Sequence, residues 1–379
     1  MNILYVLNSG KMGGMEKHVL NLVEGMTGKG NRVFVWCPEG EMGTAYSMKG
    51  AVVFKKNIKH DLDLSYILEL SGFIRKNKID ILHAHELKAV SNSMIAGLLA
   101  GVKVKISHTH TPISTWRINK VRRFLDVKIY TLLVNLLSDR EIALTKSVAQ
   151  IKQRDGIKKE KIAVIPNAID TTDLAFSSGE RTEFRKEILA RYSIPFGSLV
   201  FGSVGRLTEE KGHAVLIKAF KNFISFKSTG ERTSYLIIAG GGELETELRN
   251  LAKKLSVEDR VIITGYFGDN DRVKIYSSFD VFVFPSYAEG FGFSLIEAMY
   301  LGIPVICSDI EVLKEVGGTK IRYFVTGSSA DLTEKMREMS EDIRSGKDLG
   351  VDKAKLKVES DYTMDSFIAN YLELYRNLL

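Results

Sequence analysis

The chain has 379 residues, with 53 Lys and Arg against 46 Asp and Glu, for a formal net charge of +7. That length favours two domains or one large one, and a composition of 45% hydrophobic and 26% charged residues with only 6 Pro excludes disordered and collagen-like chains. No run approaches the ~18 consecutive apolar residues of a membrane-spanning helix, and the Asn2–Leu7 run is too short for a signal-peptide core, so a cytoplasmic chain is expected.

Short apolar, β-branched runs alternate with longer helical patterns. Strands are expected at Ile3–Leu7, Val33–Cys37, Ile79–His83, Val102–Ser107, Glu141–Leu144 and Ile162–Ile165, and again at Val200–Val204, Tyr235–Ala239, Val261–Thr264, Val281–Phe284 and Pro304–Cys307. Such alternation means βαβ units and parallel sheets. The two sets define an N-terminal domain over 1–165 and a C-terminal domain over 196–360, with a polar, turn-rich linker at 166–195 between them. Phe367, Tyr371, Leu374 and Leu378 space a final helix within 361–379. Cys37 and Cys307 lie far apart within apolar runs and read as buried small hydrophobes rather than a disulfide or metal pair.

Open parallel sheets bind ligands beyond the carboxyl ends of their strands, so the residues after each strand carry the chemistry. After the first strand comes Asn8-Ser9-Gly10-Lys11-Met12-Gly13-Gly14, opening a helix. Gly13 and Gly14 would let backbone approach a phosphate at a helix N-terminus, or they merely permit a tight turn. The spacing is not the dinucleotide fingerprint, and the second strand ends in Trp36-Cys37-Pro38 where a ribose-binding acid would stand.

His83, His85, His108 and His110 fall at the ends of the third and fourth main strands. His-x-His could hold a metal, but no carboxylate or cysteine cluster completes a site, and none is expected. Residues 101–130 carry Lys103, Lys105, Arg117, Lys120, Arg122, Arg123 and Lys128 against Asp126 alone, a local +6 that can attract nucleic acid, anionic lipid or a phosphorylated substrate. Within Trp116–Leu137, Ile118, Val121, Leu125, Ile129, Leu132 and Leu136 form one helical stripe. That stripe serves either a core-facing helix or one lying on an anionic bilayer.

In the second half, Gly205-Arg206-Leu207 and Lys211-Gly212 follow a strand. There a forked guanidinium and a compact ammonium can converge on a diphosphate, or simply pair with Glu209 and Glu210. His213 behind them would cap or pack the helix start. After Val281–Phe284, Glu289 lies in the turn Glu289-Gly290-Phe291-Gly292. Glu297 lies one turn into an apolar helix, where a buried carboxylate needs hydrogen-bond donors such as the hydroxyls of a ribose; the other option is a solvent-facing carboxylate.

Glu289 and Glu297, with seven residues between them, resemble the E-x7-E motif of the retaining nucleotide-sugar glycosyltransferases of family 4. Gly205-Arg206-Leu207 with Lys211-Gly212, Ile165-Pro166-Asn167-Ala168-Ile169-Asp170, Ala239-Gly240-Gly241-Gly242, Glu297-Ala298-Met299 and Gly302-Ile303-Pro304-Val305-Ile306 resemble that family's segments in the same order. The resemblance implies the GT-B architecture: two Rossmann-like parallel-sheet domains facing a central cleft, with the C-terminal helix crossing back to the first. It implies transfer of a sugar from a nucleotide diphosphate to an acceptor hydroxyl with retained configuration, in cell-surface polysaccharide or glycolipid synthesis.

By the same resemblance, Glu297 would hold the donor ribose, Glu289 would lie against the donor sugar, and Arg206 and Lys211 would bind the diphosphate. Gly13, Gly14, Gly241, Gly290, Phe291 and Gly292 would line the donor site. His108, with His110 as rival, would face the donor sugar. The nucleotide sugar is then a substrate and no cofactor or metal is implied; the partners are this donor and a sugar or lipid-linked acceptor, without nucleic acid, and an anionic inner membrane surface is a further partner where the Trp116–Leu137 stripe faces lipid rather than the core. Ala168 departs from the usual linker glycine, and Asp309-Ile310-Glu311-Val312 stands where a small or glycine-containing turn is common. A nucleotide-sugar epimerase shares the architecture but not the glutamate motif, and a silent nucleotide- or glycan-binding module would bind donor without transferring it.

Overall fold

A computed structural model describes residues 1–174, 176–226 and 232–379. They form two compact units, Met1–Ala168 with Tyr362–Leu379, and Ile169–Asp361.

The first unit runs β1 (Asn2–Val6), α1 (Gly14–Gly28), β2 (Arg32–Cys37), α2 (Glu41–Met48), β3 (Val52–Lys55), α3 (Leu64–Lys76), β4 (Ile81–His85), α4 (Leu87–Ala100), β5 (Val104–His108), α5 (Lys120–Leu137), β6 (Arg140–Ala143), α6 (Lys146–Asp155) and β7 (Ile162–Val164). Its sheet has seven parallel strands in the order β3-β2-β1-β4-β5-β6-β7. The central strands are buried on both faces, which is why they read as unbroken apolar runs rather than alternating ones. Cys37 and Cys307 are both buried and free, as expected.

The second unit runs α7 (Ser178–Arg191), β8 (Leu199–Val204), α8 (His213–Ser225), β9 (Ser234–Ala239), α9 (Glu245–Lys254), β10 (Val261–Ile263), α10 (Asp269–Ser277), β11 (Val281–Phe284), α11 (Phe293–Tyr300), β12 (Val305–Ser308), α12 (Glu311–Gly317), β13 (Arg322–Phe324), α13 (Ser329–Ser345) and α14 (Val351–Asp361). Its six parallel strands are ordered β10-β9-β8-β11-β12-β13. In both sheets the order reverses beside the first strand of the unit, the place where an open α/β sheet leaves a crevice for ligand.

Three features differ from the sequence reading. The edge strands β3 and β13 were not expected, being short and part-exposed with charged residues at their ends. β4 and β5 extend two residues and one residue further than expected, so His85 and His108 belong to the sheet and pair with each other in register. The segment read as a linker contains α7, which is part of the second unit. A capping box at Ser177 and Glu180 starts that helix. Arg191 to Asp271, Lys274 to Glu187 and Arg185 to Asp280 then tie it down. Its polarity marks a helix held by ion pairs rather than a tether; Ala175 lies outside the described residues.

The final helix, α15 (Met364–Leu378), belongs to the first unit. Phe367, Ile368, Tyr371, Leu372 and Tyr375 are buried in that unit's core, a 3.6-residue stripe. It packs on α1 where Gly25 permits close approach, since a Cβ there would fall 2.0 Å from the Cδ1 of Ile368.

Candidate active site

In the second unit, two loops at adjacent strand ends come together. Gly205–Gly212 follows β8 and Pro285–Gly292 follows β11. Lys211 Nζ donates to Glu289 Oε1 at 2.5 Å, and Ser286 Oγ donates to the same oxygen at 2.8 Å. The Tyr287 amide donates to the Glu210 carbonyl at 2.7 Å. Gly212, at φ +66°, closes the join, because a Cβ there would sit 2.1 Å from the Pro285 carbonyl oxygen; only glycine fits both the angle and the contact.

The ammonium of Lys211 thus pairs across the loops, not with Glu209 or Glu210 beside it. Arg206 is exposed and has no ion-pair partner among the described residues. Gly241 carries the adjoining loop, its carbonyl accepting the Leu207 amide at 3.0 Å. The N-terminus of α8 follows directly on Lys211-Gly212, adding the partial positive charge of a helix start. A guanidinium without an ion-pair partner among the described residues, an ammonium held by a carboxylate and a helix N-terminus give these loops groups that can attract an anion.

Glu297 on α11 is 4% exposed. The Tyr276 hydroxyl donates to its Oε2 at 2.8 Å, and Arg272 Nη1 lies 3.7 Å from Oε1. The carboxylate is therefore not stranded without donors, as the sequence argument assumed. α10 supplies both partners, and neither residue stood out in the sequence. Gly290, Phe291 and Gly292 are buried beside Glu289. His213 is 3% exposed, and burial, followed by the charge of Lys211, lowers its imidazole to about 3, so it packs as a neutral ring.

The residues in place over 184–353 match the model of glycosyl transferases group 1, and residues 12–173 match that of glycosyltransferase family 4. The chain belongs to the family 4 glycosyltransferases, of the group 1 type. It is 30% identical over 264 residues to an Escherichia coli UDP-Gal:alpha-D-GlcNAc-diphosphoundecaprenol alpha-1,3-galactosyltransferase, covering 67% of this chain and 64% of that protein. It is 26% identical over 319 residues to the O-antigen biosynthesis glycosyltransferase WclY of Escherichia coli, covering 83% and 82%. The fold superposes on Anabaena Alr3699/HepE in complex with UDP and glucose with a TM-score of 0.85 at 20% identity, over the whole of both chains. The architecture of this glycosyltransferase is GT-B.

In its first unit, Gly13 caps the start of α1 and Gly14 is exposed. The first turn also contains Glu16, which is 5% exposed; its Oε2 lies 2.6 Å from where a Gly13 Cβ would stand. The helix start therefore meets a carboxylate of its own chain, which the sequence reading of this loop did not anticipate.

His108 is fully buried and His110 is 8% exposed. His18 on α1 joins them with His85, and one ligating atom of each of the four lies within 4.8 Å of the others. A fully buried network holds the backbone around them. Lys152 pairs with Glu141 and donates to the carbonyls of Thr109 and Ile142 at 2.8 and 2.6 Å, while Tyr130 donates to Glu141 at 2.8 Å.

Two Asp-x-Asp triplets occur in the sequence, Asp61-Leu62-Asp63 and Asp269-Asn270-Asp271. Asp63 accepts from the Tyr66 amide at 3.1 Å as the cap of α3. Asp271 pairs with Arg191 at 2.9 Å. Both are committed to holding helices.

The basic helix α5 does not turn its apolar stripe to the core. Only Tyr130 and Val134 are buried. Val121, Phe124, Leu125, Ile129, Leu132 and Leu136 are 52–69% exposed. The apolar stripe faces outward, and a different, narrower face packs on the core. Among the described residues no helix is long and apolar enough to cross a membrane.

Proposed function

We propose that the enzyme transfers a hexose from a nucleoside diphosphate to an acceptor hydroxyl with retained anomeric configuration, in the synthesis of a cell-surface polysaccharide or glycolipid. The observation that carries this reading is the joined pair of loops after β8 and β11. They hold Lys211 against Glu289 and leave the guanidinium of Arg206 unpaired. Arg206, Lys211 and the α8 N-terminus stabilise the diphosphate as negative charge builds on it, and need no metal to do so. Glu297, oriented by Tyr276, accepts from the ribose, and Glu289 lies by the donor sugar with Gly241, Gly290, Phe291 and Gly292 around it. Gly13, Gly14 and one histidine of His108 and His110 act from the first unit.

A UDP-sugar is the leading donor, supported by the galactosyltransferase relative and by the UDP complex of a protein with the same fold. A diphosphate-lipid acceptor follows from that same relative. It fits the outward apolar stripe of α5, whose neighbours Arg117, Lys120, Arg122 and Arg123 complement an anionic bilayer. Incubation with labelled UDP- and GDP-hexoses, with and without a lipid-linked saccharide, tests the whole. Sugar transferred only when acceptor is present supports it. A free isomerised donor, or binding without turnover, means an epimerase or a silent module instead.

A further inference from the structure

We propose that His18, His85, His108 and His110 bind one divalent transition-metal ion, with zinc as the reference ion, through four imidazole nitrogens inside the first unit. The sheet and α1 bring them together. His85 and His108 are register partners at the ends of β4 and β5, and His110 stacks on His108 with ring centroids 3.9 Å apart. His18 reaches them from α1, its ring centroid 4.9 Å from His108 and 4.8 Å from His110. One nitrogen from each lies within 4.8 Å of the others. Tetrahedral zinc with bonds of about 2.0–2.1 Å places its ligands about 3.4 Å apart. His85 Nδ1 and His110 Nε2 already stand 3.2 Å apart. The rings of His108 and His110, stacked at 16°, would have to turn apart for both in-plane lone pairs to meet one ion.

Three ring nitrogens of this cluster lack the partners that buried groups normally have. His108 has no hydrogen-bond partner on either ring nitrogen, and His85 has none on Nε2. A neutral imidazole keeps one lone pair, and leaving several buried together without donors costs free energy. A cation satisfies them at once.

The surroundings also suit an ion. Asn167 Oδ1 accepts from His18 Nδ1 and so leaves the Nε2 lone pair as the ligating one, an outer-shell partner that metal-binding histidines commonly have. The Tyr371 hydroxyl on α15 donates to that Nε2 at 3.3 Å, a bond that an ion would replace. The His110 amide donates to Glu86 at 3.1 Å. Four protein ligands close the coordination sphere, the pattern of a structural ion rather than a catalytic one. A ring that ligates through one nitrogen keeps the N–H of the other, so a sugar contact from His110 is compatible with it.

The full-length chain, stripped with chelator, is titrated with Co²⁺ and then Zn²⁺. The expected result is one equivalent of Co²⁺ with the visible bands of a four-coordinate, all-nitrogen site, its displacement by one equivalent of Zn²⁺, and a metal-dependent rise in melting temperature. His108→Ala and His110→Ala should abolish stoichiometric binding. Asn167→Leu should weaken it about 10–100-fold, and the exposed His60→Ala should leave it unchanged. No saturable binding by the unmodified chain would overturn the proposal, as would affinity unaltered in both His108→Ala and His110→Ala. UDP calorimetry on the same samples reports the second unit separately, so failure of this site and failure of the transferase reading are distinguishable.

Discussion

The second unit and the first both place polar side chains at the carboxyl ends of parallel strands, yet they do so with opposite electrostatics. After β8 and β11 the groups are charged and partly open: Lys211 is 22% exposed, held by Glu289, and Arg206 reaches solvent. At the ends of β4 and β5 they are uncharged imidazoles sealed in the core, set beside a fully buried Lys152–Glu141 pair. The difference teaches that the same topology serves two tasks. A ligand whose charge changes during reaction wants fixed, accessible cations. A buried charge is tolerated where it has its partner, as Lys152 has Glu141.

The sharpest way to break that contrast is to remove one partner in each region. Lys152→Met strands Glu141 in the core and should destabilise the first unit by about 3–5 kcal/mol, read by denaturant unfolding. Arg206→Ala, in an exposed loop, should leave the melting temperature unchanged while lowering kcat about 10²–10³-fold, and Lys211→Ala should act similarly. Equal loss of stability and turnover in Arg206→Ala would erase the distinction. Glu297→Ala should weaken UDP binding by about 1–3 kcal/mol, and Tyr276→Phe by about 0.5–1.5 kcal/mol through lost orientation of that carboxylate; isothermal calorimetry measures both.

A smaller effect concerns acid. His213 titrates at about 3 when folded, below its ordinary 6.5, so it is neutral in both states above pH 6.5 and adds nothing there. As pH falls from 6.5 towards 3, the unfolded chain takes up the proton first and stability declines. His213→Leu should flatten that limb of a stability-against-pH profile. The smallest effect is at the surface. Neutralising Arg117, Lys120, Arg122 and Arg123 should cost about 1 kcal/mol each in binding to anionic vesicles, seen by flotation at low salt, with the solution transferase reaction unaltered.

How far the sequence reached follows the same contrast. The second unit's site is legible because its groups are contiguous on two loops, Arg206 to Lys211 and Glu289 to Glu297, each following a strongly apolar strand. What was missed there came from another element: Tyr276 and Arg272 on α10 touch Glu297 only through folding. In the first unit the paired histidines were visible, but His18 lies on α1, far away in sequence, and only the β1–β4–β5 arrangement brings it to them. Strands β3 and β13 escaped because their part-exposed edges are not uniformly apolar. α7 escaped because ion pairs, rather than an apolar stripe, hold it in place. The stripe on α5 was read correctly as a stripe, while its direction needed the fold, since a second face with Tyr130 and Val134 performs the packing.

The most direct test of the account is the product itself. The enzyme is given a UDP-hexose of α configuration and a saccharide linked to a lipid diphosphate, and the new linkage is read by NMR, alongside Arg206→Ala under the same conditions. The account predicts an α-linked product that forms only with acceptor present and falls about 10²–10³-fold in the variant. A β-linked product, or an isomerised donor released without consumption of acceptor, would contradict it.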